Sequence, residues 1–212
     1  MRVFIAIACV VLACLSGRAV QADSKKFDPE KFSQVMTIFD TVVIYPASSW
    51  QDERGLKASE YYRNAQPASF VFEQIPKGEK FESWSKLYAV AGFKLPDLDL
   101  EAFARASVGI YIQACATDKL KVQTVFAVDK KIMVIIFCED FKSTPNNIGY
   151  KAGIGEITLM LLTQPFKTHL KIYQHWRGDS FDAADKSSWP VAEKTLQMMI
   201  SRFAQIQTTQ AK

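Results

Sequence analysis

Histidine is nearly missing from this chain, with two residues, His169 and His175, among 212. If both lie on one strand, six residues apart, they are separated by about 20 Å at roughly 3.3 Å per residue, and cannot share a metal ion at about 2.0–2.1 Å. No Cys-x-x-Cys or His-Glu-x-x-His run occurs, so the usual zinc patterns are excluded. The Gly-x-Ser-x-Gly elbow of a serine nucleophile is absent as well. The glycine-rich stretch 149–155 lacks a Gly-Lys-Ser/Thr ending and leads into a strand pattern, whereas a phosphate cradle leads into a helix. No metal, cofactor or catalytic group is therefore expected. Glu101, Glu139 and Asp140 could in principle transfer protons, but only adjacency pairs any of them.

An excess of one charge is also lacking. The formal net charge is +4, and without Arg2 and Arg18 the chain holds 24 basic against 22 acidic residues. Such a balance argues against a nucleic-acid binder, which carries a basic stripe. Beyond the first residues no apolar run approaches the roughly 20 residues of a membrane span, and the longest, 154–163, is interrupted by Gly155 and Glu156. With no Pro/Gly/Ser-rich linker and no repeat, residues 23–212 are expected to form a single α+β domain.

What is present begins with an export signal. Met1-Arg2, an apolar run over 3–15 and the Val20-Gln21-Ala22 site predict that residues 1–22 are a cleaved signal peptide. The protein is then exported, to the periplasm if the source is bacterial. The alternative is lipid attachment at Cys14 after Val11-Leu12-Ala13, with Leu12 atypical for such a site. Cleavage leaves two cysteines, Cys115 and Cys138. In an oxidising compartment an even pair reads as a disulfide, with two buried free thiols as the alternative.

Periodicity predicts a helix over 28–41, a polar surface segment over 46–66, and a strand hairpin from 69–75 and 84–92. A second helix, capped by Asp97 or Asp99, carries Leu100, Phe103, Ala104, Ser107, Val108, Tyr111, Ala114 and Cys115 on one stripe. Strands 122–128 and 131–138 turn at Asp129-Lys130 and are apolar on both faces, so both are expected inside the sheet. A loop at 142–153 precedes a third hairpin, 156–163 with 168–177. A closing helix at 190–206 points Ala192, Leu196, Met199, Ile200 and Phe203 inward, with Ser187 or Ser188 as its cap. Three helices and about six mainly antiparallel strands imply helices on both faces, an α/β/α sandwich.

The series Trp84-Ser85-Lys86-Leu87-Tyr88, Cys115, Cys138-Glu139, 156–162 and Tyr173-Gln174-His175-Trp176-Arg177 resembles small exported bacterial proteins similar in layout to the PsbP-like sandwich. The resemblance covers 81–203. It implies that fold and no particular activity. A further cysteine expected in the closing helix is missing, which leaves one possible bridge.

The third hairpin carries the candidate site. Pairing Thr163 with Thr168 puts Leu159, Leu161, Leu170 and Ile172 on one face. His169, Lys171, Tyr173, His175 and Arg177 then share the other face with Glu156, Thr158, Met160 and Leu162. Alternating cations and aromatics suit a recognition surface. Charge reversal at Lys171 and Arg177 is then expected to weaken partner binding and leave folding nearly unchanged, the alternative being an ordinary amphipathic strand whose polar side meets water or the rim of a helix. The sequence thus points to a non-catalytic periplasmic accessory or binding protein for a protein or small anionic partner. The alternatives are an exported hydrolase with a site on the sheet face and an envelope-associated subunit of a larger assembly, anchored if Cys14 is lipidated.

Overall fold

The computed structural model describes residues 33–142 and 151–212. The signal peptide, Cys14 and most of the expected 142–153 loop therefore lie outside the described residues.

Thr41-Val42-Val43-Ile44-Tyr45 is β-branched or aromatic at every position, and it forms strand β2 (Thr41–Pro46). β2 pairs antiparallel with β1 (Ser33–Ile38) across a turn at Phe39-Asp40, where Phe39 takes a positive φ of 52°. This corrects the helix expected over 28–41: residues 28–32 are not described, and 33–41 form strand and turn. Val35 is 66% exposed while Met36 packs inward, so neighbours that would share a helical stripe face opposite ways. The spacing spans too few residues to hold a helix unaided, and pairing with a β-branched strand prevails.

The larger sheet contains β3 (Ser59–Ala65), β4 (Ser69–Pro76), β5 (Lys86–Lys94), β6 (Leu120–Val128), β7 (Lys131–Cys138), β8 (Ile154–Thr163) and β9 (Thr168–Asp179). Their order is β3-β4-β5-β9-β8-β7-β6, antiparallel throughout. A smaller sheet joins β1, β2 and β10 (Gln207–Gln210). The helices are α1 (Leu100–Ala114) and α2 (Glu193–Ala204). The class is α+β with mostly antiparallel strands. The count is corrected from three helices and six strands to two α-helices and ten strands among the described residues. No helix among them is long and apolar enough to cross a membrane.

β3 falls in the segment expected to be irregular. Beyond its first two residues it is exposed, because it is an edge strand, so no alternation marked it in the sequence. β6 corrects the sequence reading the other way. It is the opposite edge and largely exposed, although both of its faces are apolar enough for an interior strand. Its turn is as expected: Val128 pairs with Lys131, and Asp129 supplies the left-handed conformation at φ 40° without a glycine.

In α1 the side chain of Asp99 accepts from the Ala102 N–H at 2.7 Å, and Leu100, Phe103, Ser107, Tyr111 and Ala114 are buried. α2 has no side-chain cap. Its N-cap is Ala192, exposed and not inward, while Ser187 and Ser188 belong to a short 3-10 turn capped by Asp185. Alternate residues of β7 enter different clusters. Met133, Ile135 and Phe137 pack with Leu196, Met199 and Phe203 of α2, whereas Val134, Ile136 and Cys138 pack with Phe103 and Tyr111 of α1. Gly92 on β5 lets the smaller sheet close down, since a Cβ there would lie 2.4 Å from Ile38 Cγ2.

Cys115, the residue that ends α1, is bonded to Cys138 at the end of β7, with Cα atoms 5.6 Å apart. The bridge closes a sequence separation of 23 residues. In the chain-entropy account a loop of this size contributes about 3 kcal/mol. Urea unfolding with and without reductant should show a loss of that order. An unchanged midpoint together with two reactive thiols in denatured, non-reduced protein would rule the bridge out.

Candidate functional site

α1 connects β5 to the far-edge strand β6 and packs on β7 and β8. A cavity of about 340 Å³ lies beside that contact. β9 supplies Lys171, Tyr173, His175 and Arg177 to it, and α1 supplies Ser107 and Tyr111. Glu73 of β4 and Trp84, just before β5, help to complete the wall. Residues 171, 173, 175 and 177 share one side of β9 because successive strand residues alternate between faces.

Fully buried Glu156 organises one side. The register sets it directly opposite Arg177, and Thr158 opposite His175. Arg177 donates to Glu156 Oε2 from Nη2 at 2.8 Å and from Nε at 3.1 Å. His175 Nδ1 lies 2.7 Å from Glu156 Oε1, and Thr158 Oγ1 donates to the same oxygen at 3.1 Å. Tyr111 reaches in from the helix, its hydroxyl 3.0 Å from Thr158 Oγ1 and 3.3 Å from His175 Nδ1. Burial by itself would raise the Glu156 carboxyl, but His175 and Arg177 outweigh it and hold the pKa below the usual Glu value. The Arg177 guanidinium also stacks 3.6 Å from the Trp84 ring centroid.

Lys171 stands apart from this network. Half-buried, it places Nζ 4.9 Å from the Tyr173 ring centroid and has no ion pair or hydrogen bond among the described residues. Burial lowers its pKa, with Glu73 acting in the opposite direction. The Tyr173 hydroxyl donates to Glu73 Oε1 at 3.3 Å.

No family model and no curated protein matches the sequence. Among solved structures the chain is similar to the Ran-binding protein Mog1p of Saccharomyces cerevisiae, at 11% identity and a TM-score of 0.47, over 83% of this chain and 95% of that one.

Four of the five residues singled out in the sequence thus meet in the cavity. His169 does not: it is fully buried beside the Phe103 ring, with Nε2 2.8 Å from the Leu98 carbonyl oxygen. Nor is the face solvated, since Tyr173 and His175 are buried and Arg177 keeps its side chain 8% exposed. The hairpin register is also corrected. Thr163 pairs with Leu170, not Thr168, because Asp40 accepts from Thr168 Oγ1 at 2.5 Å and from the Lys167 N–H at 3.1 Å, tying the turn to the smaller sheet. Sequence reasoning left Tyr111 and Ser107 as core residues and gave Glu156 no partner. A lone carboxylate within an apolar strand was the available signal for Glu156. Among the described residues no three His, Cys, Asp or Glu side chains gather as metal ligands.

Proposed function

We propose that this is an exported, non-catalytic binding protein that holds a small anionic ligand in the cavity beside α1. One observation carries the reading: Lys171 keeps a half-buried ammonium in the cavity with no ion pair or hydrogen bond among the described residues, Glu73 acting on it only at longer range. Burying a cation is costly unless it is paired, and a bound carboxylate or phosphate would offset that cost. Arg177 cannot serve equally, since Glu156 engages it. The cavity volume falls within the range of small-molecule sites. The Cys115–Cys138 bridge supports an oxidising, periplasmic location. The split of β7 between two clusters supports one helix on each face of the larger sheet, the PsbP-like layout.

Thermal denaturation with a panel of small carboxylates and inorganic phosphate tests the site. A ligand present at 100 times its Kd stabilises by about 2.7 kcal/mol, a shift of roughly 5–10 °C for a chain of this size. At least one probe should stabilise the parent protein and leave Lys171→Met unmoved. If none stabilises the parent, or if Lys171→Met responds equally, the anion site is wrong.

A further inference from the structure

β3 and β6 are the two ends of the larger sheet, and the chain protects only one of them. β6 is broken by a bulge between Thr124 and Phe126, a device that spoils an edge for further pairing. β3 pairs with β4 without a break from Ser59 to Ala65 and contains neither proline nor lysine. It also exposes two large aromatic side chains on opposite faces, Tyr61 at 63% and Tyr62 at 48%. Its bonding parity is fixed at both ends: the Lys77 N–H donates to the Ala58 carbonyl at 2.9 Å, and the Gln66 N–H to the Ser69 carbonyl at 2.7 Å. Antiparallel bonding recurs at every second residue, so Glu60, Tyr62 and Asn64 bond to β4, and the N–H and C=O groups of Tyr61, Arg63 and Ala65 point off the edge. An open row of this kind is a template for another strand.

We propose that this strand is the β3 of a second copy, giving a two-fold dimer whose larger sheets run on through their β3 edges. Read backwards, the strand complements itself. Two-fold antiparallel pairing keeps each residue on its own face, so the residues that bond outward must meet one another. Centring the pair on Tyr62 uses the whole strand: Tyr62 meets Tyr62, Tyr61 meets Arg63, Glu60 meets Asn64 and Ser59 meets Ala65. No like charges oppose each other. Arg63 already holds its guanidinium 5.5 Å from the Phe70 ring centroid, and the second copy's Tyr61 adds another ring beside it. Centring on Arg63 would set Arg63 against Arg63, and centring on Tyr61 would shorten the overlap and put Arg63 against Ser59. Tyr62 lies opposite Glu73 and against the Phe81 ring, and both of those residues line the cavity, so the junction borders the proposed binding site in each copy. The dimer itself does not depend on what that site binds.

Sedimentation of the folded protein over a range of concentrations tests the pairing. One strand pair is a small interface, so a Kd of roughly 10 μM is expected, and at about 100 μM most chains should be dimers. Tyr61→Pro deletes one outward N–H and none of the bonds to β4, a position where an edge strand accepts proline, and should weaken the dimer at least about tenfold. Tyr62→Lys sets two ammonium groups against each other on the axis and should do the same. Amide exchange at Tyr61 and Arg63 of the parent should slow as the dimer forms, whereas Glu60, Tyr62 and Asn64 stay protected throughout. A parent that is monomeric at about 100 μM overturns the self-pairing and leaves the edge to a strand of another protein. Mass that climbs past the dimer, or a dimer that either folded variant leaves unchanged, overturns it equally. If Tyr61→Pro does not fold, Tyr62→Lys and the exchange of Tyr61 and Arg63 decide.

Discussion

Arg177→Met should unfold at a much lower urea concentration than the parent protein, with a loss of about 3–5 kcal/mol. Removing one partner of a buried pair leaves the other charge uncompensated, and Glu156 is fully buried opposite Arg177. Adding Glu156→Gln should restore part of the loss, because the stranded charge is then gone. The double-mutant cycle isolates the coupling. A single variant within about 0.5 kcal/mol of the parent would show that the pair is effectively solvated.

The same carboxylate predicts an acid dependence. Its folded pKa is depressed, so its contribution is complete above the unfolded value, about 4.3, and fades as pH falls through the lower folded value. Stability of the parent should therefore fall more steeply below about pH 4 than that of Glu156→Gln. Parallel curves from pH 6 down to pH 3 would contradict the assignment.

One residue away along β9 the effect should be as large for a different reason. Trp176 is 1% exposed and belongs to the cluster beneath α2, on the face opposite Arg177. Trp176→Ala should cost about 3–5 kcal/mol, from lost transfer energy and the cavity left behind. Unlike Arg177→Met, it should not be relieved by Glu156→Gln, since the Trp176 side chain packs on the face of the sheet opposite the Glu156–Arg177 pair. Chemical denaturation of the single and double variants separates the cases, and relief by Glu156→Gln would mean that the two faces are coupled.

Where the chain's own periodicity was strong, the elements were legible. The i, i+3, i+4 series from Leu100 to Ala114 with Asp99 before it is helical, and the 131–138 run is a strand covered on both faces. The two-residue period of β9 was enough to place Lys171, Tyr173, His175 and Arg177 on one side, because alternation survives a register error of two residues. Ser33–Ile38 was not legible, since its apolar spacing fits helix and strand alike and only its partner β2 settles the choice.

Local pattern by itself determined which residues share a face, that Cys115 ends a helix and Cys138 a strand, and that no familiar catalytic or zinc run occurs. Tertiary structure decided what covers each face. Strand alternation is a property of the backbone, but burial depends on where α1 crosses, and that crossing turned an expected solvated face into a cavity wall. It also decided the pairing of Glu156 with Arg177 and His175. That choice follows from a turn held by Asp40, more than a hundred residues earlier in the chain, and no window along the sequence contains both.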